Sequence, residues 1–241
     1  MAINSGIIKA LFFDYGNTLV EYGPRQVAGD RQAMVKELTR LFGPCDFARV
    51  DRLRDKQYQT PYKNGFHENK MRTITRDLVE EIYGITPCSK DINELVEARV
   101  RQFTISVNIR PGVIKLLRNL SVHYSLALVS NYPAGKSIRQ SLKKLKIFEF
   151  FKSIVISGEV HYIKPHPKPF NKAMDDLGIT APACLFIGDN WLADIQGAKK
   201  LGMQAVLTSE YIPYDKFGPL PGDLEPDAKI SNIFELEKML I

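Results

Sequence analysis

The sequence predicts an α/β protein built on a doubly wound parallel sheet, with a block of helices inserted near its N-terminus. Three observations support this prediction. From residue 110 onwards, short apolar runs alternate with helical patterns, as in a parallel sheet with crossover helices. Another apolar run, residues 7–19, precedes them and closes with a turn. Only the helical period recurs in residues 22–108, which lie between the two.

Length and composition narrow the class of protein. A chain of 241 residues with a net charge of +6 can hold a core domain and a smaller insert. Its positive residues are dispersed, which predicts no nucleic-acid partner. Three widely spaced cysteines without C-x-x-C spacing argue against a disulfide framework and against a zinc site. We expect a cytoplasmic protein, monomer or homodimer, with no membrane partner, since no long apolar stretch or leader pattern appears.

The first strand is predicted in residues 7–14, where an apolar run ends on Asp14 and a Gly-Asn-Thr turn follows. An uninterrupted apolar run is typical of a strand buried on both faces of a parallel sheet. Ligands bind at the carboxyl ends of such strands. Asp14 is therefore well placed to act as a nucleophile or as a metal ligand.

The inserted segment is predicted to contain four helices. The first stops at Gly43, the second at Pro61 and the third at Gly84, and Ser89 is a candidate N-cap for the fourth. Four helices without an intervening strand differ from the α/β pattern on either side. We therefore predict an all-helical cap over residues 22–108, with the core domain formed by residues 1–21 and 109–241.

The remaining chain is predicted to alternate strictly. Strands are expected at residues 125–130, 153–158, 184–190 and 204–209. Helices are expected at residues 111–120, 136–145, 169–177 and 195–201, with a final helix capped by Asn232. Residues 211–227 are rich in proline and glycine and are predicted to form a surface loop.

Polar groups follow several of these strands at the point where each ends. Asp14 follows the first strand, Ser130 and Asn131 end the second, and Asp189 ends the fourth. Two more polar side chains complete the set: Asp194 lies five residues past Asp189, and Lys164 lies in a proline-rich loop after the third strand. Carboxylates can hold a divalent ion while one of them attacks, and a hydroxyl and a lysine can hold phosphoryl oxygens.

This pattern resembles the haloacid dehalogenase-like (HAD) hydrolase superfamily, most of whose members are magnesium-dependent phosphatases. The D-x-D-x-T motif of the family appears as residues 14–18, DYGNT, with its second acid missing. Ser130, Lys164-Pro165 and the GDNWLAD run at residues 188–194 match the other three motifs. The resemblance implies a Rossmann-like core, a first strand between the fourth and the second, and a helical type-1 cap.

The resemblance also implies a role for each matching residue. Asp14 would be the nucleophile that forms an aspartyl-phosphate on a small phosphorylated substrate. Asp14, the Gly16 carbonyl and Asp189 would bind Mg²⁺, and Asp194 would position it. Ser130 and Lys164 would hold the phosphoryl group. The full predicted set consists of a catalytic group, Asp14, Ser130, Lys164 and Asp189; a substrate-binding group, Gly16, Asn17, Thr18, Ser130, Asn131 and Lys164; and a metal-binding group, Asp14, Gly16, Asp189 and Asp194.

Gly16 departs from the family pattern. Most phosphatases of the family carry an Asp there, which protonates the leaving oxygen and later deprotonates water. Dehalogenases of the family also lack that Asp, but they work without a metal, so Asp189 and Asp194 favour the phosphatase. Three functions stay open: a phosphatase, a haloacid dehalogenase-type hydrolase, and a catalytically weak homologue that binds a phosphorylated ligand. Glu21, Tyr22, His67 and Glu68 are candidate substitutes for the missing acid.

Overall fold

The computed structural model describes residues 3–211 and 218–241. In this part of the chain six parallel strands form one sheet, in the order β3-β2-β1-β4-β5-β6. The prediction of a doubly wound parallel sheet is confirmed. The strands are β1 (Ala10–Phe13), β2 (Ser125–Ser130), β3 (Phe151–Ile156), β4 (Cys184–Gly188), β5 (Gln204–Thr208) and β6 (Ala228–Ile230).

Helices cover both faces of the sheet and make up the insert. The insert holds α1 (Pro24–Phe42), α2 (Phe47–Lys63), α3 (Met71–Tyr83) and α4 (Ser89–Ser106). The core holds α5 (Val113–His123), α6 (Gly135–Lys144), α7 (Ser157–Val160), α8 (Pro167–Leu177), a π-helical turn (Trp191–Gln196), α9 (Gly197–Lys200) and α10 (Glu235–Leu240). Short 3₁₀ turns occur at Ser5–Ile7, Phe148–Phe150 and Ala181–Ala183.

Strand β1 lies at the centre of the sheet. It pairs with β2 on one side and β4 on the other, and all four of its residues are buried. Separate apolar clusters cover its two faces, one containing Phe13 and the other Phe12. This is the strand order that the resemblance implied. It makes the carboxyl end of β1 the topological switch point, where ligands bind in open α/β sheets.

The four insert helices pack around their own apolar cluster, which includes Met34, Leu38, Val50 and Leu95. Two details of the prediction were wrong. Helix α2 continues past Pro61 to Lys63, because a proline in a final turn removes only one backbone hydrogen bond. Ser89 is the first helical residue of α4 and Cys88 is its N-cap, where the carboxylate of Asp91 binds the Cys88 N–H.

Two predictions for the core also need correction. Strand β3 begins and ends two residues earlier than predicted, and Ser157 starts the short helix α7 instead. Strand β6 was missed, because three residues at a sheet edge carry too little periodicity to be distinguished from a loop. The loop predicted at residues 211–227 therefore precedes an edge strand, and its residues 212–217 lie outside the described part of the chain.

None of the helices in the described residues has the length and apolar character needed to cross a membrane.

Candidate active site

Asp14 lies directly after β1, at the switch point of the sheet. Its backbone N–H donates to the carbonyl of Ile187 in β4, 2.9 Å away, so the pairing of the two strands fixes its position. Ser130 is the last residue of β2, and Asp189 follows the last residue of β4. The parallel register of the three strands thus brings three predicted site residues to one edge of the sheet.

Lys164 reaches this edge from the loop after α7. Its ammonium group lies 2.7 Å from Asp14 Oδ1 and 2.7 Å from Asp194 Oδ1, and its side chain is 1% exposed. Asn131 holds the backbone of this lysine, accepting from the Lys164 N–H at 2.7 Å and donating to its carbonyl at 3.0 Å. The Asn131 side-chain amide, predicted to bind substrate, is thus engaged with the backbone of Lys164.

Asp194 is carried by the π-helical turn that follows β4. Its Oδ2 accepts from the Asn190 N–H at 3.0 Å, and the Asn190 side chain caps the turn by accepting from the Ala193 N–H at 2.7 Å. The carboxylate packs directly over Gly188, where an added Cβ would lie 2.3 Å from Asp194 Oδ2. Glycine is therefore required at residue 188 for Asp194 to approach the strand end. Such π-helical turns occur frequently at functional sites.

The three aspartates form a compact oxygen cluster. Asp14, Asp189 and Asp194 each place one carboxylate oxygen within 4.8 Å of the others. Ligand oxygens around one Mg²⁺ lie about 2.1 Å from the ion, so opposite ligands are roughly 4.2 Å apart. An all-oxygen donor set of this size fits magnesium, and it lacks the sulfur and imidazole ligands typical of zinc sites.

The charges of this cluster act on one another. Burial raises the pKa of Asp14 to about 6, although the neighbouring ammonium group opposes this rise. Burial, with repulsion from Asp14 and Asp194, holds the pKa of Asp189 well above its usual range. Burial alone would lower the pKa of Lys164, but its two carboxylate partners outweigh burial and raise it. A bound cation would relieve the repulsion among the carboxylates.

The turn after Asp14 is closed by its own backbone. Asn17 adopts a left-handed conformation with φ of 56°, its N–H donates to the Val20 carbonyl at 2.6 Å, and its side chain accepts from the Tyr22 N–H at 3.0 Å. Gly16 and Asn17 line the cavity in front of Asp14. Thr18 is fully buried behind the turn and is not a lining residue, which suits a supporting role.

A cavity of about 280 Å³ lies between the site and the helical insert. Its core side is lined by Asp14, Ser130, Lys164, Asp189 and Asp194, together with three other predicted residues, Gly16, Asn17 and Asn131. Its insert side is lined by residues that sequence reasoning did not single out: Asp30 of α1, Arg54 of α2 and Arg99 of α4. Their helical spacing predicted only polar positions on amphipathic helices, so no local pattern could have identified them.

The structure divides the four candidate substitutes for the missing acid. Tyr22 and Glu68 line the cavity, whereas Glu21 and His67 are exposed and do not line it. Burial raises the pKa of the Tyr22 hydroxyl well above its usual range, so it is a proton-bearing donor. Glu68 is already bound, accepting from the Ser157 hydroxyl at 2.5 Å and from the Asn69 N–H at 2.7 Å.

Comparison with known proteins identifies the family. The model of the haloacid dehalogenase-like hydrolases matches residues 48–208, two thirds of the chain, and this stretch includes Ser130, Lys164, Asp189 and Asp194. The chain belongs to this family of hydrolases, and the resemblance of its motifs is confirmed.

Curated relatives of the chain include phosphatases. A glyceraldehyde 3-phosphate phosphatase of Pyrococcus abyssi is 35% identical over 99 residues, which cover 40% of each chain. The glyceraldehyde 3-phosphate phosphatase of Methanopyrus kandleri is 27% identical over 234 residues, which cover 95% of this chain and 96% of that one. The chain thus spans less than half of the first relative and nearly all of the second. Together they support the assignment of the chain to the phosphoric monoester hydrolases.

Solved structures share the fold. The HAD-hydrolase YfnB from Bacillus subtilis, bound to magnesium, has a TM-score of 0.68 and 22% identity, covering 97% of this chain and 98% of that one. A 2-haloacid dehalogenase from Pseudomonas syringae has a TM-score of 0.71 at the same identity and coverage. The fold is therefore shared with a dehalogenase, and the fold alone does not assign the reaction of this chain.

Proposed function

We propose that the protein is a Mg²⁺-dependent phosphatase that hydrolyses a small phosphorylated metabolite through an aspartyl-phosphate on Asp14. The observation that supports this most strongly is the cluster of Asp14, Asp189 and Asp194 with the ammonium group of Lys164 against it. A nucleophilic carboxylate cannot approach a phosphate dianion unless cations offset their repulsion. This edge of the sheet supplies one cation and a carboxylate set suited to a second.

The first step would transfer the phosphoryl group to the enzyme. A carboxylate oxygen of Asp14 attacks phosphorus, the bond from phosphorus to the leaving oxygen breaks, and the leaving oxygen takes up a proton. Lys164 and Ser130 hold the phosphoryl oxygens during this transfer. In the second step water attacks the aspartyl-phosphate, which releases inorganic phosphate and restores Asp14.

Mg²⁺ bound by Asp14, Asp189, Asp194 and the Gly16 carbonyl would neutralise charge on the transferred group. The chain's own residues prepare the site for it. Asn190 and Gly188 fix the position of Asp194, and β4 fixes that of Asp189. The same ligand set would offset the repulsion that the half-buried Asp189 experiences from Asp14 and Asp194.

Because residue 16 is glycine, the site lacks the side chain that usually donates a proton to the leaving group. General acid catalysis typically contributes about 10²–10⁴-fold, whereas enzymes accelerate phosphate-monoester hydrolysis by up to about 10²¹-fold. A phosphatase can therefore function without a general acid at this position. Tyr22 lines the cavity and its hydroxyl carries its proton at neutral pH, and a flat dependence of the rate on the leaving group would indicate that it takes over this role.

The test is phosphate release from aryl, acyl, sugar and nucleotide phosphates, with Mg²⁺ and with EDTA. We expect metal-dependent release that Asp14→Asn abolishes. Asp77→Asn is a matched control, because Asp77 lies on the exposed surface of α3 with its side chain 46% exposed. Release that persists in Asp14→Asn, or that EDTA leaves unchanged, would contradict the proposal.

A dehalogenase is the second candidate, and Gly16 is the observation that favours it, since dehalogenases of the family also lack the acid at that point. Chloride release from a 2-haloacid without added metal would support the dehalogenase. Mg²⁺-dependent phosphate release without chloride release would exclude it.

A further inference from the structure

Two arginines of the insert lie in the cavity without the carboxylate partners that buried arginines usually have. Among the described residues, no carboxylate oxygen lies within the 4.0 Å ion-pair distance of Arg54 or Arg99. Arg31, which also lines the cavity, differs: it is paired with Asp51 and Asp55.

Arg99 is the more deeply buried of the two, at 5% exposure. Within the part of the chain described here, its Nε has no hydrogen-bond partner, and one terminal nitrogen contacts only the Met71 sulfur, at 2.9 Å. A thioether is a weak acceptor for a guanidinium group. A buried charge that is neither paired nor fully hydrogen-bonded is costly, so this group is suited to a partner that the chain itself does not provide.

Two acids face these arginines. Glu68 lies near Arg99, but its oxygens already accept from the Ser157 hydroxyl and the Asn69 N–H. Asp30 is 5% exposed and lies near both arginines and Tyr22. Its Oδ1 has no hydrogen-bond partner among the described residues.

The two arginines of this group also act on each other. Repulsion between the arginines is part of what lowers the pKa of Arg54 to about 10, after burial, yet the group stays protonated at neutral pH. Asp30 and Glu68 face these positive charges, but neither carboxylate lies within ion-pair distance of the two arginines, so their N–H groups stay open to a ligand. A ligand group with a single negative charge could pair with these arginines, whereas a dianion would be repelled more strongly by Asp30 and Glu68. A planar carboxylate also matches the paired N–H groups of a guanidinium.

The free oxygen of Asp30 calls for a donor in the same ligand. A hydroxyl group can donate to it, and the Tyr132 hydroxyl, which is also buried without a partner in the described chain, can bond the same kind of group. Both residues line the cavity that contains Asp14. One small molecule could therefore reach the phosphoryl site and this insert site together.

We propose that Arg54 and Arg99 bind a carboxylate at the end of the substrate remote from the phosphate, so that the substrate is a phosphorylated hydroxy acid. This inference rests on the proposed phosphatase function, because it assigns the other end of the same substrate. It makes Arg54 and Arg99 the residues that determine specificity, with Asp30 selecting a hydroxyl group.

The test compares kcat/KM for substrate pairs that differ only in the carboxylate. Two pairs of different length are used: 3-phosphoglycerate with glycerol 3-phosphate, and 6-phosphogluconate with sorbitol 6-phosphate. In at least one pair we expect the carboxylate to be preferred by roughly 10- to 100-fold, the range for hydrogen bonds to charged groups. An absence of preference in both pairs would overturn the proposal.

Variants assign the preference to the arginines. Arg99→Met and Arg54→Met should each reduce the preference to within about threefold, and Arg99→Lys should retain part of it because its charge remains. Arg40→Met is the matched control, since Arg40 is exposed and paired with Glu37 and Glu94. A preference that both Met variants keep would overturn the assignment. If Arg99→Met fails to fold, Arg54→Met and Arg99→Lys show whether the carboxylate preference depends on the two arginines.

Two further measurements separate the outcomes. A preference for fructose 1,6-bisphosphate over fructose 6-phosphate, without one for carboxylates, would show that the site binds a second phosphate and would overturn our assignment. If no compound, including 4-nitrophenyl phosphate, is hydrolysed, the phosphatase proposal fails. Calorimetric binding of 6-phosphogluconate and sorbitol 6-phosphate to wild type and Arg99→Met then decides: tighter carboxylate binding that requires Arg99 supports the site, and equal binding overturns it.

Discussion

The ammonium group of Lys164 lies 2.7 Å from the Oδ1 of Asp14, although 150 residues separate the two in the chain. The same group also contacts Asp194, so one buried cation sits against two of the three clustered carboxylates. The pair joins the loop after α7 to the end of β1. Both the stability of this edge and its proposed chemistry therefore depend on Lys164.

Lys164→Met should be inactive and less stable. Removing the cation leaves the three aspartates to repel one another in a buried site, and breaking a buried ion pair costs about 3–5 kcal/mol. We expect urea denaturation in EDTA to show a loss of that order at neutral pH. Lys172→Met is the control, because Lys172 is exposed and pairs with Asp176 on the same helix. Equal stability of Lys164→Met and wild type would contradict the role given to this charge.

Gly16→Asp should raise the rate on alkyl phosphates, which need a proton on the leaving oxygen. The new side chain has room, since an added Cβ would lie 3.5 Å from the Tyr22 Cβ, an ordinary contact. We expect wild-type rates to fall steeply from aryl to alkyl phosphates. Gly16→Asp should raise the rate on alkyl phosphates by about 10²-fold and so flatten this dependence. Gly16→Asn, equal in size but without the acid, should not. A flat wild-type series would show that the acid is not missing.

Gly188→Ala should abolish activity by displacing Asp194. The added methyl would lie 2.3 Å from the Asp194 carboxylate, well inside van der Waals contact. We expect a lower melting temperature and weaker binding of Mg²⁺. Gly218→Ala is the control, because nothing in the described chain lies within 4 Å of a Cβ at that residue. Full activity in Gly188→Ala would mean that the position of Asp194 is not critical.

Mg²⁺ should stabilise the folded protein. A ligand that binds only the native state raises stability with its concentration, and neutralising three clustered carboxylates adds to the effect. We expect a rise in melting temperature with Mg²⁺ that Asp189→Asn largely removes and Asp77→Asn keeps. The same ionic strength supplied as KCl should give no comparable rise. Equal shifts in both variants would argue against a site at these aspartates.

The core side of the site was more predictable than the insert side. Asp14, Ser130 and Asp189 each end a buried strand, and apolar runs make strand ends visible in a sequence. Parallel topology then brings those ends to one edge. The π-helical turn at Asp194 was not predicted, since one extra residue in a helical turn leaves no periodic signal.

The insert side depends on how four helices pack against one another. Asp30, Arg54 and Arg99 come from three of these helices, and the sequence marks each only as a polar position. Their burial in one cavity follows from tertiary packing, which helical periodicity does not specify. The role of the Asn131 side chain could not be predicted for the same reason, because its hydrogen bonds to the backbone of Lys164 are tertiary contacts.

Trapping the phosphoryl group on Asp14 tests the proposed aspartyl-phosphate intermediate most directly. Mg²⁺-loaded enzyme is mixed with an aryl phosphate, quenched in acid within the first turnover, digested and analysed by mass spectrometry. We predict a phosphoryl adduct on the peptide that contains Asp14, absent from Asp14→Asn. Phosphate release with no adduct in wild type, and with Asp14→Asn still active, would contradict the account.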